Sequence, residues 1–146
     1  MQKHSIKSPR SLLAFALSSA AVVAAFQFGC ATTQPMQSST AVPAAQGTVD
    51  ATDGENGNTA LAVRVKHLAQ PSMIAPDASV YVVWVQPRNG AKQSVGALTL
   101  DDDLEGVLET TTAHRRFTVS VTPESSGKVA QPTNKPVFTA SVDLED

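Results

Sequence analysis

Apolar and polar residues alternate with a period of two along the second half of the chain. Leu61, Val63 and Val65 are separated by small or charged residues, a pattern typical of a β-strand with one face buried and the other in water. Val80–Gln86 is apolar at almost every position, which suits a central strand. The predicted strands are residues 61–65, 80–86, 94–100, 107–112, 116–122 and 137–144.

Turn residues separate these strands at regular spacing. The pair Asn89-Gly90 predicts a hairpin between the strands at 80–86 and 94–100, because both residues tolerate positive φ. Six such strands bury their apolar faces by forming two packed antiparallel sheets. We therefore expect an all-β, immunoglobulin-like antiparallel sandwich of six or seven strands over residues 59–146, with Trp84 at the centre of its core.

Residues 30–58 show no such alternation of large apolar side chains. They are mainly Ala, Thr, Gln, Ser and Gly, and their larger apolar residues are Met36, Val42 and Val49. So few apolar groups would not offset the entropy lost when the backbone is ordered. The composition predicts a flexible linker, which would hold the domain about 30 Å from its point of attachment.

The first 29 residues have the pattern of an export signal. Lys3, Lys7 and Arg10 precede an apolar, Ala-rich run from Leu12 to Phe28, and a basic segment followed by an apolar one is typical of a secretory signal peptide. The uninterrupted apolar part is shorter than the ~20 residues that a membrane-spanning helix needs. We therefore predict a signal peptide over residues 1–29.

The only cysteine of the chain stands where this apolar run ends. Cys30 follows Gly29 and precedes a polar tract. The arrangement resembles the signal of bacterial lipoproteins, in which a small residue precedes a cysteine that is lipidated and becomes the first mature residue. The resemblance implies a membrane anchor at Cys30 and, because Ala31 is not acidic, the outer membrane in a Gram-negative host. Cleavage after Ala25 or Ala31 is the alternative, and it would give a soluble periplasmic or secreted protein.

The chain from Leu68 onward is similar to the extracytoplasmic C-terminal domain of anti-sigma-K-type regulators. The matching segments, in order, are Tyr81–Val85, Gly90, Val95–Leu98, Phe117–Glu124, Gln131–Thr133 and Pro136–Val137. The resemblance implies an outer β domain of that kind. The sigma-binding domain of those regulators has no counterpart in the eleven residues ahead of the apolar run, so we expect no sigma factor among the partners.

Charge and composition exclude several classes of function. All 13 acidic residues lie from Asp50 onward, whereas three of the 11 basic residues lie in the first ten positions. The exported part is therefore acidic and unsuited to nucleic acids. A single cysteine excludes a disulfide scaffold and a thiolate zinc site. His67 and His114 belong to no motif for nucleophilic catalysis, so we expect neither an enzyme nor a cofactor.

One acidic cluster is a candidate cation site. Asp101, Asp102, Asp103 and Glu105 fall in the turn between two predicted strands, and several carboxylate oxygens on a loop suit Ca²⁺. Their spacing departs from that of calcium loops, however, and consecutive Asp residues often accept hydrogen bonds from their own backbone. A solvated turn is the favoured interpretation, with a metal site as the alternative.

Three residues are candidates for contact with a partner. Tyr81 and Trp84 lie three apart in one strand and so face opposite sides, which makes Tyr81 the expected exposed aromatic residue. Arg115 and Arg116 form a basic pair that suits lipid headgroups or an acidic polymer.

Taken together, these features predict a non-enzymatic envelope lipoprotein. It would display an immunoglobulin-like domain for contact with an unknown envelope protein, most simply through an edge strand. The alternative is a soluble secreted or periplasmic β module that binds a ligand or calcium.

Overall fold

The computed structural model of the protein describes residues 31–144. Nine strands form almost all of the regular structure there, together with the one-turn helix α1 (Pro71–Ile74) and a 3₁₀ turn at Glu55–Gly57. None of the helices in this range is long and apolar enough to span a membrane. The strands are β1 (Thr32–Pro35), β2 (Gln37–Ser38), β3 (Gln46–Asp53), β4 (Thr59–Lys66), β5 (Val80–Pro87), β6 (Gln93–Leu98), β7 (Gly106–Thr112), β8 (Arg116–Glu124) and β9 (Phe138–Asp143).

All strand pairs are antiparallel, and they form two sheets. The four-stranded sheet has the order β1-β3-β4-β7, and the five-stranded sheet has the order β2-β9-β8-β5-β6. Apolar side chains from both sheets meet in one core. The prediction of an all-β, immunoglobulin-like sandwich is confirmed, and the six predicted strands correspond to β4–β9. The total is nine strands rather than six or seven.

The prediction of a flexible linker over residues 30–58 is wrong for the part that the structure describes. β3 lies between β1 and β4 in the interior of the four-stranded sheet. Its Val49 and Ala51 are 0% exposed, and Met36 and Val42 belong to the same core. The sandwich therefore begins at Thr32, 27 residues earlier than predicted.

β3 lacks a recognisable apolar alternation because several of its inward-facing residues are small. Gly47, Val49 and Ala51 face the other sheet, and the polar residues between them face solvent. A Cβ atom on Gly47 would lie 3.0 Å from the ring of Phe138, so the large side chain at this contact comes from β9. Buried and solvent-facing residues do alternate in β3, but two of the three buried positions are glycine and alanine.

The hairpin of β5 and β6 forms as predicted, with a different turn. The Gly90 N–H donates to the Pro87 carbonyl oxygen at 3.1 Å, but neither Asn89 nor Gly90 takes positive φ. The register of the pair shifts between Val83 and Trp84, as it does at a β-bulge. The turn between the strands is therefore not the mirror-image type that the Asn-Gly pair predicted.

β5 is buried on both faces, and its two aromatic residues lie opposite to the prediction. Tyr81 faces the four-stranded sheet, is 0% exposed, and donates its O–H to the Ala69 carbonyl oxygen at 2.7 Å. Trp84 lies on the outer face of the five-stranded sheet and is also 0% exposed. Tyr81 is therefore not a surface residue, because its hydroxyl finds a partner at the border of the core.

A loop covers this outer face. Residues 125–137, here called the covering loop, connect β8 to β9. A Cβ atom on Gly127 would lie 3.1 Å from Ala97 of β6, and Thr133 and Asn134 reach the side chain of Glu124. The covering loop thus shields the part of the outer face around Trp84, Thr122 and Glu124 from water.

The strand register defines the two ends of the sandwich. Thr32 pairs with Ala51 near the end of β3, and the turn of the β5–β6 hairpin lies at the same end. We call this the entry end. The far end carries α1, the turn at residues 101–105 and the last residue of β8, Glu124. At about 3.4 Å per residue, the nine residues of β8 separate the two ends by about 30 Å.

Candidate functional site

A groove of about 640 Å³ opens at the far end of the sandwich. One wall is the segment 39–41 after β2, another is formed by Ile74 and Ala75 at the end of α1, and residues 133–137 of the covering loop form the rest with Pro123. The groove has the size of sites that bind small ligands or short segments of chain. It is the candidate functional site.

Local hydrogen bonds hold the walls of the groove in place. The Val42 N–H donates to the Ser39 carbonyl oxygen at 3.1 Å, which closes a turn. The Ser39 N–H donates to the Val137 carbonyl oxygen at 2.8 Å and joins two of the walls. In α1, Pro71 occupies the first helical position, where its missing N–H costs nothing. The groove is therefore bordered by main-chain segments that are tied to the sandwich.

The covering loop is attached through a buried carboxylate. Glu124 is 0% exposed. Its Oε1 accepts the N–H of Thr133 at 3.0 Å and the hydroxyl of Thr122 at 2.6 Å, and its Oε2 accepts the hydroxyl of Thr133. The Asn134 side chain donates to the Pro123 carbonyl oxygen at 2.8 Å. Two residues that line the groove thus have positions set by the end of β8.

The same hydrogen bonds continue to the only tryptophan of the chain. The indole N–H of Trp84 donates to the Thr122 hydroxyl oxygen at 2.8 Å, and that hydroxyl donates to Glu124. A continuous chain therefore runs from Trp84 through Thr122 and Glu124 to Thr133 in the groove wall. Each polar group in it has a partner, as burial requires.

Two opposing effects act on the pKa of Glu124. Burial is the largest, and it raises the pKa because the charged form loses its hydration. Hydrogen bonds from the side chains of Thr122 and Thr133 and from the backbone of Thr133 and Asn134 stabilise the carboxylate and lower the pKa. Together these donors prevail, so the pKa lies below the usual value of a glutamate. The group is ionised at neutral pH.

The acidic turn, residues 101–105, hydrogen-bonds mainly to itself. The Asp101 Oδ1 accepts the N–H groups of Asp103 at 3.0 Å and Glu105 at 2.9 Å. Glu105 also lies 3.6 Å from the Lys66 ammonium, while Asp102 is exposed. Among residues 31–144, no three or more His, Cys, Asp or Glu side chains are grouped to hold a metal ion. The four predicted ligands are therefore not brought together.

The structure separates the other predicted site residues. Arg115 pairs with Asp53 at 2.7 Å, and Arg116 pairs with Asp143 at 2.8 Å. These pairs lie at the entry end, on different sheets, and away from the groove. Cys30 and the predicted signal peptide lie outside the described residues.

The two histidines of the described residues lie at opposite ends. His67 follows β4 at the far end, and His114 precedes β8 at the entry end. They form no pair that could act together on one substrate.

Neither the groove nor the buried glutamate was predicted from the sequence. The sequence predicts that one face of β8 is exposed to solvent, because polar residues alternate there with apolar ones: Ser120, Thr122 and Glu124. Only the contact with the covering loop buries that face.

Comparison of the chain with protein-family models, curated proteins and solved structures finds no match.

Proposed function

We propose that this protein is a non-enzymatic bacterial envelope lipoprotein, anchored through Cys30, whose β-sandwich contacts an envelope partner. The position of the only cysteine carries the proposal. Cys30 ends the apolar run of an export signal and stands two residues before Thr32, where β1 begins. Lipidation at this point would place the anchor directly beside the folded domain.

Acyl chains at Cys30 would hold the domain at a membrane. Each buried CH₂ group contributes about 0.8 kcal/mol, and anchoring by more than one chain is stable. Only Ala31 separates Cys30 from β1, so the entry end would face the lipid surface. The groove would then point away from the membrane, held there by the length of the sandwich itself rather than by a linker.

The arrangement of polar groups favours binding over catalysis. In the described residues, the two histidines lie at opposite ends of the sandwich, and the Glu124 carboxylate is buried and hydrogen-bonded to four donor groups. The groove itself is lined by hydroxyl, amide and apolar groups with one ammonium, Lys135. Such a surface can recognise a partner but offers no activated nucleophile.

The mass of the membrane-extracted protein tests the proposal. We expect a polypeptide that begins at Cys30 and carries acyl chains, found in the membrane fraction. In Cys30→Ala, the acyl mass and the membrane association should both disappear. A Ser38→Ala variant, altered on the exposed strand β2, is the matched control. A lipid-free protein beginning after Ala25 or Ala31 would overturn the proposal and favour the soluble ligand-binding alternative.

A further inference from the structure

We propose that the covering loop acts as a strap that opens as a unit while the sandwich stays folded, and that the Glu124 carboxylate holds it closed. In the closed state the loop hides Trp84 and forms one wall of the groove. In the open state Trp84 is exposed and that wall is gone, so the two surfaces exclude each other. The inference concerns this loop alone and does not depend on an anchor at Cys30.

Main-chain hydrogen bonds mark where the covering loop leaves the sandwich and where it returns. The Glu124 carbonyl oxygen accepts the N–H of Ser79 at 2.8 Å, and the Val137 N–H donates to the Val121 carbonyl oxygen at 2.8 Å. Within residues 31–144, no main-chain group between these two points is bonded to another main-chain group. A segment without such bonds opens at lower cost in free energy than a strand does.

Few contacts fasten the covering loop to the sandwich. Every residue from 125 to 136 is exposed or half-buried, so closure of the loop buries little apolar surface. Apart from a bond at its first residue, its hydrogen bonds to the sandwich come from Thr133 and Asn134. They all end at Pro123 and Glu124, the last two residues of β8. Closure therefore depends mainly on this one end of a strand.

The face beneath the covering loop is apolar and aromatic. Val82 and Trp84 of β5 are 0% exposed, yet neither belongs to the core between the sheets. Val82 pairs with Ala97 of β6, and a Cβ atom on Gly127 of the loop would lie 3.1 Å from the Ala97 side chain. The loop thus passes directly over this part of the sheet, and its departure would bring the face into contact with water.

The same loop links this face to the groove. Thr133 lines the groove and is bonded to the Glu124 carboxylate. That carboxylate also accepts the hydroxyl of Thr122, to which the Trp84 indole donates. Release of Thr133 therefore removes a wall of the groove and uncovers Trp84 in one step. A ligand of the groove would favour the closed state, and a ligand of the Trp84 face would favour the open one.

Labelling of buried thiols in the native full-length chain tests the opening. A Cys30→Ala background leaves no natural cysteine. Val82→Cys places a thiol under the covering loop, and Val83→Cys places one in the core at the next residue; both side chains are 0% exposed. We expect a maleimide to react with Val82→Cys about 100-fold faster than with Val83→Cys. Low concentrations of urea should accelerate only the second reaction.

Two substitutions in the loop test the role of the carboxylate. Thr133→Val removes the hydroxyl that donates to Glu124 and should raise the labelling rate of Val82→Cys about tenfold. Ser126→Ala, the matched control, removes a hydroxyl that accepts a bond from within the loop and should leave this rate unchanged.

A disulfide between the loop and β6 provides a second test without a thiol probe. Ala97→Cys and Gly127→Cys place their Cβ atoms close to the separation of about 3.5–4.5 Å that a disulfide needs. Trp84 has the only indole of the chain, and its N–H is bonded to Thr122, so hydrogen exchange at this group, measured by NMR, reports opening. We expect the oxidised form to exchange at least about tenfold more slowly than wild type, and reduction to restore the rate.

Three results would overturn the inference. They are equal labelling rates and urea dependence for Val82→Cys and Val83→Cys, indole exchange that ignores the disulfide, and labelling that ignores Thr133→Val, which would leave the loop without its proposed fastening. Indole exchange in the wild type covers the case of a variant that does not fold. If Trp84 exchanges there with the same urea dependence as the strand amides, the loop opens only when the whole domain unfolds and the inference fails.

Discussion

Both faces of β5 and of the second half of β8 are buried, but by different means. The inner face packs on the other sheet through side chains such as Val121 and Phe138, which form no hydrogen bonds. The outer face lies under the covering loop, where Trp84 and Glu124 belong to one hydrogen-bonded chain. Apolar packing is non-directional, whereas a buried carboxylate depends on the geometry of its hydrogen-bond donors and on its protonation. The inner face therefore holds the domain together, and the outer face positions the groove.

Removing a large side chain from the inner face should have the largest effect. Phe138→Ala deletes a ring that is 1% exposed and packs on Gly47. We expect the free energy of unfolding to fall by about 3–5 kcal/mol, since a cavity remains. Urea denaturation measures the change. Met73→Ala, at a side chain that is 78% exposed, should change stability by less than about 0.5 kcal/mol. Equal effects of the two would refute the assignment of the core.

Truncation on the outer face should cost less but act on the loop. Glu124→Ala leaves the buried hydroxyl of Thr122 and the two donors of Thr133 without their acceptor, at a cost of about 1–3 kcal/mol. We also expect the Trp84 emission to shift to longer wavelength, because water reaches the indole when the covering loop detaches. Glu109→Ala, at an exposed carboxylate, is the control. An unchanged emission in Glu124→Ala would show that this carboxylate does not hold the loop.

Part of the stability lost at acid pH should come from Glu124 on the outer face. The folded-state pKa of Glu124 lies below that of the unfolded chain, so its contribution is complete above the unfolded value of about 4.3. It is lost as pH falls through the folded pKa. Glu124→Gln should remove this part of the acid dependence while keeping the side-chain shape. Urea midpoints measured between pH 6 and acid pH test it, and parallel curves for both proteins would contradict it.

Part of the stability lost at alkaline pH should come from Tyr81 on the inner face. Burial raises the pKa of the Tyr81 phenol to about 12. Since the unfolded value is about 10, the stabilisation is complete below that pH and is lost as pH rises through the folded pKa. Tyr81 is the only tyrosine, so phenolate absorbance should show one transition near the raised value. A transition near 10 in the folded protein would place this side chain in water.

Calcium should have the smallest effect, because the acidic turn belongs to neither face. Asp101 uses an oxygen to accept two backbone N–H groups of its own turn. We expect the Tm to stay constant up to millimolar Ca²⁺, in wild type and in Asp102→Ala alike. A rise in Tm with calcium that Asp102→Ala abolishes would revive the metal-binding alternative.

The size of the inward-facing residues decided which strands could be predicted from the sequence. In β4, the inward positions include Leu61, Val63 and Val65, and their alternation predicted the strand. In β3, the inward positions include Gly47 and Ala51, and the strand was missed. An alternating apolar pattern is recognisable only where the inward-facing side chains are large. A small residue can be equally buried where the opposite sheet lies close to it. A strand that faces a large residue such as Phe138 can use glycine.

The outer face shows a second limit. β5 is apolar on both sides, so its sequence does not tell which aromatic residue lies between the sheets. Strand register and the covering loop decided that Tyr81 faces inward and Trp84 outward. Similarly, Glu124 has the position of a solvent-exposed residue in an alternating strand. It became buried only because Thr133 and Asn134 fold back from nine and ten residues away.

The sequence by itself determined the fold class, six of the nine strands in residues 31–144 and the position of Cys30 at the end of an apolar run. These features depend on local periodicity and on the order of segments along one chain. Only the tertiary structure decided that the sandwich begins at Thr32, which aromatic residue enters the core, and that a groove lies at the far end. Those features depend on which surfaces meet across long sequence separations, because the free energy of burial belongs to a contact between segments and not to either segment alone.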